Sequence, residues 1–414
     1  MKRRQLWTRL ALLTPIAISL ACSLPEIIAP IATPGSAAET PGQEATLIPV
    51  DPTSAAGTET APGTTPEATL VPTAELPTES PLAPVVYPVG PDNFSEDINP
   101  LTGLRVAEQA LLERRPLAIK VSNFPRSARP QAGLSQADLI WEYYTESGST
   151  RFLAMYYGQE ASKVGPIRSA RVEDTRIVPL YNAILVHVQA YQDVWDQMYS
   201  SGVDFINEFP ASCPAICRDA NEKIKENSAF GNTVELTKYA GIVRLLRDRP
   251  NLNGMVFDSA TPAGGGDAAS LWVRFSAAAL GEWRYDAVSD SYLRSSESES
   301  GAMVALNDRV TGRQLSVANA VILFVPFNRY VGKTTTAEMW DLIISGEGKA
   351  VFFRDGKVFE GTWKRVSASQ PLQLLGPSGS LFALQPGSTW IGVIGKNSGV
   401  TRDATQWQFR MAWP

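Results

Sequence analysis

The side chains best suited to binding or catalysis fall between positions 123 and 187: Asn123, Arg129, Glu142, Glu146, Arg151, Arg168, Ser169, Arg171 and His187. Arg168, Ser169 and Arg171 follow Gly165-Pro166, and proline is favoured in the first turn of a helix. A helix start there would offer free N–H groups and a positive dipole end. Two arginines would add forked donors, a combination that suits a phosphate or a carboxylate. With Asn123, Arg129 and Arg151 these residues make an expected anion-binding set. The alternative is that the arginines pair with Asp138, Glu142 or Glu146 and knit the domain together.

Glu142 and Glu146 are four apart, and paired carboxylates can run glycoside hydrolysis as acid and nucleophile or base. Along a strand their Cα atoms would lie about 13 Å apart, which is long for direct cooperation. Glu146 also faces Arg151 across Ser147-Gly148-Ser149, where a salt bridge explains it more simply. His187, the one histidine, closes an apolar strand and could act as a general base. No Gly-x-Ser-x-Gly elbow accompanies it, and a structural hydrogen-bond donor is the simpler assignment. The chain has no Walker loop, EF-hand or His-Glu-x-x-His, and Gly346-Glu347-Gly348 lacks the rest of a dinucleotide fingerprint. No cofactor and no metal are therefore expected. Trp340, Trp363, Trp390, Trp407 and Trp413 could stack on sugars, but filling a β core is the expected role.

The elements that would position these residues alternate in the first half. Strands are expected at 117–122 and 183–188, and a hairpin from 138–146 and 151–157 about Ser-Gly-Ser. Helices are expected at 106–115, 165–181, 191–199 and 234–249. Alternating strands and helices predict an α/β layered domain over 93–260. Pro262 and Gly264-Gly265-Gly266 mark a boundary. Beyond it strand signals dominate, with a tight turn at Asp355-Gly356, so 266–414 is expected to be mostly β. The fold class is α+β.

The first 92 residues carry an address. Lys2, Arg3, Arg4 and Arg9 precede an apolar run over 10–21 that ends at Cys22. This pattern is a secretory signal, and the run is too short to remain a membrane span. Ser19-Leu20-Ala21-Cys22 resembles a lipobox, so Cys22 is the expected lipidation site, with palmitate among its acyl chains, and more than one chain makes anchoring stable. Residues 22–92 are rich in Pro, Thr and Ala and contain no Lys or Arg. This stretch is expected to be a disordered tether, spanning on the order of 45 Å.

Removing the address changes the charge balance. The chain carries 37 Lys plus Arg and 42 Asp plus Glu, a net −5. Four of those cations and nine of those anions precede residue 93, which leaves the body neutral with 33 of each. A neutral body argues against nucleic acid as a partner. After Cys22 only Cys213 and Cys217 remain, as Cys-Pro-Ala-Ile-Cys. In an exported protein a disulfide is the leading expectation. Free thiols, or a metal site shared with His187, are the alternatives.

Two ordered strings of motifs resemble the YerB-like lipoproteins, exported bacterial proteins built on domain of unknown function 3048 and its C-terminal companion. The first string runs Arg129-Pro130-Gln131-Ala132-Gly133-Leu134-Ser135-Gln136-Ala137-Asp138, then Glu142, then Glu146 through Phe152. It continues as Gly165-Pro166-Ile167-Arg168-Ser169-Ala170-Arg171 and Val186-His187. The second string runs Gly346-Glu347-Gly348-Lys349-Ala350, Asp355-Gly356-Lys357, Glu360-Gly361-Thr362-Trp363 and Pro386-Gly387-Ser388-Thr389-Trp390. Over residues 218–236 the family carries a further histidine near an Asn, whereas this chain reads Glu226-Asn227-Ser228-Ala229-Phe230-Gly231-Asn232-Thr233. No role is carried over for that histidine. The resemblance implies an exported lipoprotein on the outer face of the cytoplasmic membrane, and implies no reaction. The expected function is recognition of an anionic envelope ligand: a cell-wall glycan, a lipid head group or a partner protein. A glycan hydrolase using Glu142 or Glu146 and an envelope scaffold are the rivals.

Overall fold

Leu117–Ser122 is an apolar strand (β1) at the heart of a mixed sheet of eleven strands. The hairpin Leu139–Tyr144 (β2) and Thr150–Tyr156 (β3) lies beside it, with β3 antiparallel to both. Ser147 and Gly148, which link them, take positive φ. Ile184–His187 (β4) runs parallel to β1, and Phe205–Asn207 (β5) parallel to β4. On the other side of β2 the sheet continues with Thr389–Gly395, then Asn319–Val325, both parallel to it. Gly346–Arg354, Lys357–Arg365 and Gln373–Leu375 follow as an antiparallel ribbon. Asp355 and Gly356 turn that ribbon with positive φ at both positions, the geometry of a two-residue hairpin turn. Strands from both sides of residues 261–267 therefore share one sheet.

This computed structural model describes residues 84–367 and 371–413. The signal over 1–21, Cys22 and the tether up to residue 83 lie outside the described residues. The described residues make one compact unit.

A second sheet of seven strands has the order Met303–Ala305, Ser291–Glu297, Leu280–Asp286, Ser270–Arg274, Gln406–Arg410 and Gly399–Asp403, with Ser316–Val317 beside Ser291–Glu297. Its inner face packs on the main sheet through rings. Phe353 meets Trp407 and Phe409 at 5.9 and 6.1 Å, and Trp283 meets Trp390 at 5.5 Å. Trp363, Trp390 and Trp407 are buried, while Trp340 and Trp413 rest against each other at 4.7 Å.

The chain is mostly strand with few helices and mixed sheets, and of the helices expected in the first half those at 191–199 and 234–249 form, the second ending at Ile242. Its helices are Asp174–Ile177 (α1), Gln192–Ser201 (α2) and Thr233–Ile242 (α3), and the surroundings are mostly strand and 3-10 turns. Residues 106–115 hold only the 3-10 turn Gln109–Glu113. Of the helix expected over 165–181 only Asp174–Ile177 and the 3-10 turn Val178–Tyr181 form, because Gly165–Ala170 spends its backbone groups on neighbours. Ser122 N–H donates to Pro166, Arg168 N–H to Lys120 and Ala170 N–H to Gln189, at 2.8, 2.9 and 2.8 Å. These bonds hold the segment extended along the ends of β1 and β4. Arg168, Ser169 and Arg171 thus do not sit in a first helical turn, and helix-end N–H groups play no part in their chemistry.

Candidate anion-binding site

Alternation along the strands sends the candidate residues to opposite faces of the main sheet. Glu142 faces the second sheet with 1% exposure. Its Oε1 accepts from Asn123 Nδ2 at 3.1 Å and Thr150 Oγ1 at 2.9 Å. Its Oε2 accepts from Arg294 Nη2 at 2.9 Å and Trp390 Nε1 at 3.1 Å. Arg294, itself buried, lies against both the Trp283 and Trp390 rings, 5.2 and 5.5 Å from their centroids. Gly281 leaves the room this guanidinium needs, since a Cβ there would meet Arg294 Nη2 at 2.2 Å. Four donors fill the Glu142 carboxylate and tie the sheets together. Nothing about Arg294 in the sequence marks it as the partner, 152 residues away.

The opposite face carries a second buried network. Lys120 donates to Tyr143 Oη and Asp174 Oδ1, both at 2.7 Å, and Asp174 also accepts from the Tyr143 hydroxyl. The same carboxylate takes the Arg171 backbone N–H at 2.6 Å. Sequence reasoning missed Lys120 and Asp174. The available signal was a lysine inside an otherwise apolar strand, where a charge persists only if paired. Glu173 is buried beside them, and burial pushes its carboxyl up to about 8, so it is neutral at pH 7. His187 is buried between Trp195 and Phe205, with Nδ1 at 3.0 Å from Gln189 O. Burial pushes it down to about 4, so the ring is neutral.

Glu146 anchors the outer end of this network. Arg151 Nη2 reaches its Oε1 at 2.8 Å, Arg171 Nε reaches its Oε2 at 2.6 Å, and Arg171 Nη2 bonds Oε1 as well. Burial pushes the Glu146 carboxyl up, but the two guanidiniums outweigh burial and hold it at about 2. It is ionised at neutral pH and has no proton to donate as a general acid. Arg151 and Arg171 are bound inward a second time, since both donate to the Ser169 carbonyl.

Arg168 closes the cluster at the surface. It is half-buried, and its donors reach only Ser122 Oγ at 3.2 Å and Phe124 O at 3.4 Å. It forms no ion pair among the described residues. Burial and the Arg171 charge disfavour its cationic form, partly offset by Glu226 nearby. Arg129, on the other side of Phe124, has its guanidinium 5.1 Å from that ring. It donates to Asn123 Oδ1 at 3.0 Å and Glu297 O at 2.6 Å. Arg126 is paired with Glu297 at 3.0 Å. Lys120, Arg151 and Arg171 thus lie against the carboxylates of Glu146 and Asp174, while Arg168 has Glu226 nearby without a hydrogen bond to it. Arg168 comes to the surface outside the carboxyl ends of the parallel strands β1 and β4, where α/β sheets commonly hold ligands. The structure thus gathers Glu146, Arg151, Ser169 and Arg171 into one closed network and sets Arg168 at its rim. Asn123, Arg129 and Glu142 belong to the other face, and His187 stays buried.

Cys213 and Cys217 are joined as a disulfide, S–S 1.97 Å, so neither thiol is free to share a metal with His187. Among the described residues no group of three or more His, Cys, Asp or Glu side chains could hold a metal ion, and no helix is long and apolar enough to cross a membrane.

Residues 101–242 match the N-terminal domain of the family described as Protein of unknown function (DUF3048), and residues 271–391 match its C-terminal domain. The chain is 29% identical over 308 residues to the protein named "Putative lipoprotein YerB" of Bacillus subtilis (strain 168), covering 73% of this chain and 88% of that one. The crystal structure of the YerB protein from Bacillus subtilis matches with a TM-score of 0.61 at 28% identity, over 72% of this chain and 96% of that chain.

Proposed function

Because the chain belongs to the DUF3048 family in both its N- and C-terminal domains, we propose that it is a lipid-anchored extracytoplasmic protein whose body binds an anionic ligand of the cell envelope around Arg168. The address supports the location: a basic start, an apolar run of signal length and Cys22 at its end, together with the lipoprotein name of its relative. The observation that carries the binding assignment is Arg168 itself. It is a half-buried guanidinium without a carboxylate partner among the described residues, at the rim of the network that holds Glu146, Arg151 and Arg171. A guanidinium in that position matches a carboxylate or phosphate bidentately. A hydrolase built on Glu142 and Glu146 has less to support it. One carboxylate is filled by four donors, and the other is held ionised at about 2.

Co-sedimentation of the body with isolated cell-wall sacculi, and separately with vesicles of anionic and of zwitterionic lipid, tests this assignment. Arg168→Ala should weaken capture by the anionic material about tenfold, in keeping with a lost charge-assisted contact, with the melting temperature nearly unchanged. Raising the salt should weaken it further. Equal capture of the variant and the native body would overturn the assignment, and product released from the sacculi would restore the hydrolase.

A further inference from the structure

The second sheet turns a polar face away from the core. Along Ser270–Arg274 and Gln406–Arg410, Leu271, Val273, Trp407 and Phe409 are buried. The alternate positions Trp272, Arg274, Gln406, Gln408 and Arg410 point the other way and line a cavity of about 650 Å³ with Thr401. The two strands run parallel, with Trp272 opposite Gln408 and Arg274 opposite Arg410. Neighbouring strands lie about 4.8 Å apart, so two guanidiniums are set side by side, an arrangement that costs stability when nothing neutralises it. Neither arginine has a carboxylate partner among the described residues. Arg274 makes one long bond, 3.5 Å to Ala277 O. The carboxylate on this face opposite Trp272, Glu282, is taken by Arg284. Trp272 is half-buried, and its Nε1 is hidden without a partner.

We propose that this outward face is a binding platform for an acidic polysaccharide, with Trp272 packing on a sugar ring and Arg274 and Arg410 holding the carboxylate or phosphate it bears. Charge complementarity selects the occupant: paired, unneutralised arginines call for an anion. An indole flanked by the amides of Gln406 and Gln408 and the hydroxyl of Thr401 suits a ring with an apolar face and a hydroxylated edge. The open sheet face gives an extended polymer room to lie across the strands. This site is separate from the one around Arg168 and does not depend on it.

Native electrophoresis of the body through gels containing polygalacturonate or neutral dextran tests the proposal. The body should be retarded by polygalacturonate and not by dextran. Trp272→Ala, the double variant Arg274→Gln/Arg410→Gln, and Thr401→Glu, which adds a carboxylate at an exposed position, should each weaken the retardation about tenfold. Trp272→Phe should retain it. Retardation that survives Trp272→Ala and the double arginine variant overturns the proposal, as does its absence in the native body. Sedimentation showing a dimer that Arg410→Glu dissociates overturns it as well, because the face is then an interface between copies of this chain.

Discussion

Replacing Glu146 by Gln removes the one charge that two buried guanidiniums share, and the structure fixes the size of the effect. The carboxyl is held at about 2 against an ordinary value of 4.5. At 1.36 kcal/mol per pH unit, that displacement corresponds to about 3 kcal/mol of stability. The side chain is 14% exposed, so solvent screens little of it. The folded value lies below the unfolded one. The contribution is therefore complete above about 4.5 and is lost as the pH falls toward 2. Glutamine keeps the volume and one acceptor but leaves Arg151 and Arg171 uncompensated. Urea unfolding followed by tryptophan fluorescence should show Glu146→Gln about 3 kcal/mol less stable at pH 7, with the gap narrowing below pH 4.5. A gap under about 1 kcal/mol at pH 7, the value of an ordinary surface pair, would refute the clamp. So would a gap that does not change with pH.

Glu173 tests the opposite sign. Burial raises its carboxyl to about 8, above the ordinary 4.5, so the stability it contributes is present below 4.5 and lost as the pH rises through 8. The native protein should lose melting temperature between pH 4.5 and 8 through this group, and Glu173→Gln should flatten that decline. Arg294→Met strands the buried Glu142 carboxylate and should cost about 3–5 kcal/mol in chemical denaturation. Adding Glu142→Leu should recover part of that loss, since a fully apolar replacement leaves no unpaired charge. Cys22→Ala should move the protein from the membrane fraction to the medium and abolish palmitate labelling.

The fold was legible where local chemistry decides it. The apolar runs around 117–122 and 183–188 became β1 and β4. Ser147-Gly148 and Asp355-Gly356 turned the hairpins their composition predicts. The salt bridge expected across the first hairpin joins Arg151 to Glu146. What escaped depends on partners far away in the chain. Pro166 reads as a helix start, but the extended course of Gly165–Ala170 is dictated by Lys120, Gln189 and Ala229, whose backbone groups it pairs with. Only coordinates could show that Lys120 lies against Asp174, or that Glu142 is answered by Arg294 and Trp390. Trp363, Trp390 and Trp407 fill the β core, the role expected of them, and Trp340 and Trp413 lie against each other. Trp272, whose strand alternates inward Leu271 and Val273 with outward positions, is half-buried on the outer face. That alternation was readable, but which face would be covered was not.

Amide hydrogen exchange with and without soluble anionic cell-wall fragments shows whether the body meets an anionic envelope ligand at Arg168. Exchange should slow at residues 122–129 and 168–171, and Arg168→Ala should abolish that protection. Ligand binding that leaves both segments unchanged would contradict the Arg168 assignment.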